Sequence, residues 1–284
     1  MRSLTMPKER KFEWALKPES SVLWKQVKNK AGQLCVVLEH SLLRGVTSEM
    51  IAWWFRHFVN LEVTLLDVEG YENTKVPAYW LWHPSDHISA QLKGVLGENQ
   101  TPIAGAKIHI QECMQYKKYG FQFPVNNELT IFYCENDGWG MGKKVPLFGK
   151  MMSLRISFRD VYENGKIIGT HYHYEVVAGT NQKNLLAGIL NQRIVGRFTA
   201  DFWEAWITHN VIEVGTFENF LPALFSQREN LNDLHYSKNL NSVTKDQVLE
   251  KQTGYDLKLF EERIRGYEQS ENAFVYQDEI GQYM

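Results

Sequence analysis

The stretch Leu154–Val177, LRISFRDVYENGKIIGTHYHYEVV, decides the reading of the fold. Two runs rich in β-branched and aromatic residues, Leu154–Tyr162 and Lys166–Val177, flank Glu163-Asn164-Gly165. Asn-Gly suits the positive φ angles of a tight hairpin turn, so an antiparallel pair is expected. Alternation puts His171, His173 and Glu175 on one face of the second strand and Tyr172 and Tyr174 on the other. That pattern fits a polar outer face opposite a tyrosine-lined inner face. His171-x-His173 can also serve as a metal pair.

Working outward, the whole region from Lys75 to about Arg159 reads as strands and turns. Val76–His83 alternates, with Tyr79, Leu81 and His83 on one face, Trp80 and Trp82 on the other, and Pro84 ending the ladder. Ala106–Cys113 and Leu129–Cys134 are further strands, and Gln33–Glu39 is a short one. Glu135–Gly142 (ENDGWGMG) reads as a loop. Thr47 or Ser48 can cap a helix through Met50–Val59, where Met50, Ile51, Trp54, Phe55 and Phe58 repeat at helical spacing and Trp53 widens the stripe. After Gly179 the pattern is helical. Phe198–Phe225 is the longest helix, with Thr199 or Asp201 near its cap and Pro222 near its end. Residues 226–284 are polar and helix-prone, with a break at Thr253-Gly254. There is no internal repeat. The order predicts an α+β fold, a curved antiparallel sheet around one long C-terminal helix. It divides into an N-terminal arm (1–45) suited to a dimer contact, a central domain (46–228) and a C-terminal helical extension (229–284).

Composition narrows the function classes. The chain has 284 residues, 44% hydrophobic and 23% charged, which suits a globular protein. Its formal charge is −2, from 31 Lys+Arg against 33 Asp+Glu, so no global basic field exists for nucleic acid or an anionic membrane. Neither partner is expected. The aromatic share is 13%, with nine Trp, which points to a ring-lined pocket or an aromatic core. Cys35, Cys113 and Cys134 are odd in number and widely spaced, as expected for reduced thiols. The first residues carry no apolar run after their charges, and no stretch approaches ~18 consecutive apolar residues. A soluble, cytoplasmic chain is expected.

Four places can carry chemistry. In His209-Asn-Val-Ile-Glu213, positions four apart on a helix share a face, and Trp206, Phe217 and Phe220 fall near it. A carboxylate on an apolar stripe needs a partner, and a divalent metal is one. A solvated pair or a satisfied core histidine is the alternative. Tyr79-Trp-Leu-Trp-His83-Pro-Ser-Asp86-His87 gathers two His and an Asp at a strand end, where ordinary polar loop residues are the alternative. Glu112 shares its face with Ile108 and Ile110, which favours an inward carboxylate. The fourth is the His171–Glu175 segment.

In order along the chain, these residues resemble the 2,4-diacetylphloroglucinol hydrolase family, which includes phloretin hydrolases. The features are Trp53-Trp54-Phe55, Tyr79-x-x-Trp82-His83-Pro84-x-x-His87, the strand with Glu112, Met152-Ser-Leu-Arg155, and His209-x-x-x-Glu213 followed by Phe220-Leu221-Pro222. They span most of residues 50–225. The resemblance implies a Bet v 1- or START-like helix-grip fold and a zinc-dependent hydrolase of carbon–carbon bonds. It implies His87, Glu112, His209 and Glu213 as metal ligands, with His87 preferred to His83 as the second His of its motif, eight residues after Tyr79. Tyr79 is then expected to bind a substrate phenol, together with Tyr172 or Tyr174. Where the family can place an Asn soon after the metal-bound His, this chain has Ala90. His83 and Asp86 are expected to shuttle protons or orient His87, and Trp206 to touch a substrate ring. The implied reaction is retro-Claisen removal of an acyl group from a phenolic ketone; the ends that no motif covers add the expectation of a homodimer. Competing readings are a non-enzymatic carrier of a polyphenol or lipid, a zinc decarboxylase or hydrolase of another phenolic substrate, and a purely structural pair of aromatic-rich domains.

Overall fold

The Asn164-Gly165 hairpin is the centre of the architecture. In the computed structural model, which describes residues 4–240 and 254–280, β10 (Gly149–Glu163) and β11 (Lys166–Ala178) pair antiparallel from Met152–Ala178 to Glu163–Lys166. Asn164 and Gly165 both take positive φ, 51° and 75°, as a two-residue turn with the twist of its strands requires. A nine-stranded antiparallel sheet grows from this pair. On one side β11 bonds β2 (Leu34–His40) and the short β3 (Leu43–Arg44), and β2 bonds β1 (Val22–Lys28). On the other side follow β9 (Gly138–Val145), β8 (Pro124–Glu135), β7 (Lys107–Cys113) and β6 (His87–Lys93). A smaller sheet holds β4 (Glu62–Leu65) between β5 (Thr74–Pro77) and β12 (Leu234–Tyr236).

Among the described residues there are eight α-helices. They are α1 (Ser48–His57), α2 (Tyr79–Trp82), α3 (Tyr116–Tyr119), α4 (Leu185–Val195), α5 (Ala200–Gly215), α6 (Phe217–Phe225), α7 (Leu257–Gln269) and α8 (Ala273–Ile280). Thr47 caps α1, its hydroxyl accepting from Met50 N at 3.2 Å. Thr199 caps α5 in the same way through Phe202 N.

The sheet has a core on each face. Leu154, Ile156, Phe158, Tyr172 and Tyr174 point inward and pack with Trp54, Phe55, Phe217 and Phe220 of α1 and α6. Val177, with Cys35 and Val37, packs outward beneath Ile264 and Tyr267 of α7 and Phe274 of α8. Of the polar residues expected to be wet on that outer face, His173 and Glu175 are buried and His171 is half-buried. Arg263 of α7 pairs with Glu175 at 2.9 Å, and Glu39 pairs with His173. The N-terminal segment lies on its own chain, with Phe12 stacked on Trp14 at 4.2 Å and Trp14 donating to Tyr236 Oη at 2.7 Å.

Four expectations need correction. The helix-grip arrangement, a curved sheet around one long C-terminal helix, is overturned by a sheet-rich fold with several short helices on both faces of nine strands. Phe198–Phe225 is two helices, Ala200–Gly215 and Phe217–Phe225, that meet at Thr216, whose hydroxyl sits 2.8 Å from both Glu213 O and Trp82 O. Val76–His83 is not one strand: Pro77 ends β5, Ala78 turns into helical backbone, and Tyr79–Trp82 form one helical turn. That turn puts Tyr79 and Trp82 on the same side, where strand alternation had separated them. Finally, most of the expected loop Glu135–Gly142 belongs to β8 and β9. Its glycines let strands approach closely, since a Cβ on Gly138 would meet Ile156 O at 2.5 Å. Of the expected Thr253-Gly254 break, Thr253 lies outside the described residues, and Gly254 has φ 92° just before α7.

Trp54 is fully buried among rings from α1, α2 and α6. Trp54→Ala should therefore lower the unfolding free energy by about 3–5 kcal/mol. Thr47→Ala, which removes only a cap, should cost about 1 kcal/mol. Urea denaturation followed by circular dichroism checks both; equal losses would place the structural weight elsewhere.

Candidate metal centre

The site assembles where β6 and β7 meet α5. His87 opens β6 and stands directly opposite Glu112 of β7 in the sheet register. Alternation along β7 turns Glu112 inward with Ile108 and Ile110, and all three are buried. His209 and Glu213, one helical turn apart on α5, face the same point. All four side chains are buried, and one donor atom from each lies within 4.8 Å of the others. His87 Nε2 is 3.6 Å from Glu112 Oε1 and 3.5 Å from Glu213 Oε1, and His209 Nε2 is 3.6 Å from Glu112 Oε2.

Hydrogen bonds fix the rings. His87 Nδ1 lies 2.9 Å from Tyr79 O, and a carbonyl can only accept, so Nδ1 carries the proton there. Nε2 then directs its lone pair at two carboxylates, and among the described residues it has no hydrogen-bond partner. His209 Nδ1 is held by Asp86 Oδ2 at 3.0 Å, which directs its Nε2 toward Glu112. With both rings neutral, two nitrogen lone pairs facing two buried carboxylates repel unless a positive charge sits among them, and either a proton on His209 Nε2 or a metal ion supplies it. The set of two imidazoles and two carboxylates could hold a divalent metal ion, and suits a borderline one.

The electrostatics point the same way. Burial raises the Glu213 carboxyl to about 7. Burial lowers His87 to about 4, although Glu112 pulls it back. Burial also opposes charge on His209, yet the Asp86 hydrogen bond and the Glu112 carboxylate overcome it and raise His209 to about 9. Burial and the carboxylates of Glu112 and Glu213 hold Tyr79 well above the usual phenol range, so it stays a neutral donor, and its hydroxyl donates to Glu112.

His83 and Asp86 stand behind His209 rather than behind His87. Asp86 receives Gln115 N at 2.7 Å and faces His83 Nε2 at 3.3 Å, while burial is opposed by His83 and His209, which keep its carboxyl below the usual range. His83 Nδ1 accepts from Asp86 N at 3.1 Å, and its ring stacks on His209 with centroids 4.5 Å apart. The expectation that they orient His87 is corrected: Tyr79 O does that. His83, Asp86 and His209 form a second group of converging donors that shares His209.

A cavity of about 440 Å³ opens onto the cluster. Rings from Tyr79, Trp82, Tyr174 and Trp206 line it with Leu129 and Leu154. Trp206 stands edge-on to Tyr174 at 5.6 Å. Tyr172 points inward too, but it is sealed against Phe158 and His40 and does not line the cavity. His171 and His173 lie on the opposite face of the sheet, paired with Glu39, and do not join a metal cluster among the described residues.

Arg10 is the participant that no motif announces. Its guanidinium donates to His83 O at 2.7 Å and His87 O at 3.3 Å while lying over Trp80. Nothing local marks an arginine for a backbone more than seventy residues away, so no sequence signal was there to read.

Metal capture should depend on the cluster. His87→Ala or Glu213→Ala should abolish stoichiometric divalent metal measured by inductively coupled plasma mass spectrometry. Asp86→Asn should weaken affinity by about 10–100-fold. His209 and Glu213 must lose protons to bind metal, so affinity should fall as pH drops below about 9 and again below about 7. Calorimetry in buffers of different ionisation enthalpy checks this; a buffer-independent heat would contradict it.

Among the described residues no helix is long and apolar enough to cross a membrane, and Cys35, Cys113 and Cys134 are free thiols. No family model matches the chain, and no curated protein matches it. Among solved structures, the chain is similar to a Staphylococcus aureus protein of unknown function, with 9% identity, 65% of this chain and 94% of that chain covered, and a TM-score of 0.35.

Proposed function

We propose that the chain is a zinc-dependent hydrolase that removes an acyl group from a phloroglucinol-type phenolic ketone, such as an acylphloroglucinol or phloretin. The observation that carries this reading is the convergence of His87, Glu112, His209 and Glu213 at a ring-lined cavity whose wall includes the last three, with the Tyr79 hydroxyl on Glu112. The ordered motifs from Trp53 to Pro222 add to it. The helix-grip scaffold does not.

Zinc bound by these four residues would supply Lewis-acid polarisation of the acyl carbonyl and acidify water. The remaining work falls to the chain. Its apolar walls take up the ring and acyl group and exclude bulk water, which strengthens every polar contact inside. Tyr79, kept neutral by burial and neighbouring carboxylates, offers a proton donor to a phenolic oxygen as charge develops on the ring. Tyr174 is held neutral in the same way and supplies a second hydroxyl. Trp206 offers a face for the ring. Overall, water adds across the acyl–ring bond: hydroxyl goes to the acyl carbon and a proton to the ring carbon, giving a carboxylic acid and the deacylated phenol.

The apolar cavity also suits a carrier, which would bind the same phenols without turnover. Incubating zinc-loaded protein with phloretin, diacetylphloroglucinol and a simple aryl ester, with products identified by mass, separates the readings. A carboxylic acid and the phenol short of one acyl group are expected from each ketone: phloroglucinol from phloretin, monoacetylphloroglucinol from diacetylphloroglucinol. Binding with no product supports the carrier, and ester cleavage alone would assign different chemistry. Tyr79→Phe should keep its zinc and lose turnover by about a hundredfold; an unchanged rate would remove Tyr79 from the mechanism.

A further inference from the structure

The chain's near-neutral charge conceals a local asymmetry. Segments 141–150 and 179–200 contain no Asp or Glu, yet they carry Lys143, Lys144, Lys150, Lys183, Arg193 and Arg197. Lys150 pairs with Asp278 and Lys183 with Glu271. The other four are exposed and have no ion pair among the described residues.

Apolar side chains protrude from the same place. Leu147, at the tip between β9 and β10, is 92% exposed, and Leu185 and Leu186, in the first turn of α4, are 81% and 69% exposed. The tip and the helix are joined: Gln182 Nε2 donates to Leu147 O at 2.8 Å and Thr180 Oγ1 to Phe148 O at 3.2 Å. Leu147 is held at φ 70°, a conformation that a bulky residue seldom adopts. Along α4, Leu186, Ile189 and Arg193 share one face, so the apolar stripe runs directly into a cation.

We propose that this surface docks on an anionic phospholipid membrane, with Leu147, Leu185 and Leu186 entering the headgroup boundary and Lys143, Lys144, Arg193 and Arg197 facing lipid phosphates. Protruding leucines with cations beside them on the same two segments match a surface with a negative skin and an apolar interior. A second copy on this face would set the same cations against one another, at a cost. The patch also borders the cavity: Phe198, next after Arg197, lines it, as do Met141 of β9 and Met152 of β10. An apolar ligand dissolved in lipid would reach the cavity without crossing bulk water. The docking itself is independent of the reaction proposed above.

The test is co-sedimentation of the full chain with vesicles of phosphatidylglycerol and phosphatidylcholine in equal parts, and with phosphatidylcholine alone. Binding to the anionic vesicles and much weaker binding to the neutral ones is expected. The triple variant Lys143→Glu, Lys144→Glu, Arg193→Glu should lose about tenfold or more in partitioning. The double variant Leu185→Ser, Leu186→Ser should also lose it, and both should keep the parent's thermal melt, because all five side chains are exposed. Three results would each overturn the proposal. They are no sedimentation with anionic vesicles, unchanged partitioning in both variants, and self-association by light scattering that the leucine variant abolishes, which would give the face to a second copy.

Discussion

Burial of four ionisable side chains at one point is the constraint around which this structure is organised. A carboxylate or imidazolium taken out of water costs several kcal/mol unless its neighbours compensate. The neighbours of His87, Glu112, His209 and Glu213 do so from widely separated parts of the chain. The α2 turn contributes Tyr79, whose carbonyl holds His87 and whose hydroxyl meets Glu112. Asp86 holds His209 and is itself tied to the backbone at Gln115 and Tyr116, where α3 begins. Arg10, buried so deeply that its guanidinium is lowered to about 10, ties the N-terminal segment to the backbone on either side of Asp86.

The same sheet carries a second buried polar layer on its far side. Because β11 alternates, the tyrosines that face the cavity core leave His171, His173 and Glu175 pointing the other way. Such a face could have met water. Instead α7 and α8 lie across it, and Arg263 answers Glu175 while Gln277 receives the Ser153 hydroxyl at 2.6 Å and donates to Glu175 O at 3.2 Å. The outcome is a sheet packed on both sides, with aromatic contacts on one side and paired charges among apolar residues on the other. This arrangement replaces the single-helix embrace that the order of elements had suggested.

Legibility followed the range of the interaction. The β10–β11 hairpin rests on two adjacent residues with positive φ, the α1 cap on Thr47 and Met50 three residues apart, and the inward turn of Glu112 on simple alternation. All were readable. The Tyr79–Trp82 turn was not, because YWLWH alternates as well as any strand, and a four-residue helix is too short for its own period to show. β9 was hidden for the opposite reason: its glycines look like a loop, and only the backbones of β8 and β10 on either side give them a place. Asp86 was legible as a polar residue near the site, but its partner, His209, is 123 residues away.

The sequence by itself determined the candidate ligands His87, Glu112, His209 and Glu213 and the faces that Glu112, His209 and Glu213 take, because those properties follow from residue type and from the periods of two and 3.6. Tertiary structure decided what those faces meet. It set His87 opposite Glu112 through strand register, brought α5 over that pair, and placed Tyr174 in the cavity but Tyr172 behind it. It also covered the polar back of the sheet with the last two helices. The physical reason is that periodicity orients a side chain relative to its own element only. Burial, pairing and charge compensation depend on elements dozens of residues apart, which meet only when the sheet and its two layers of helices close around them.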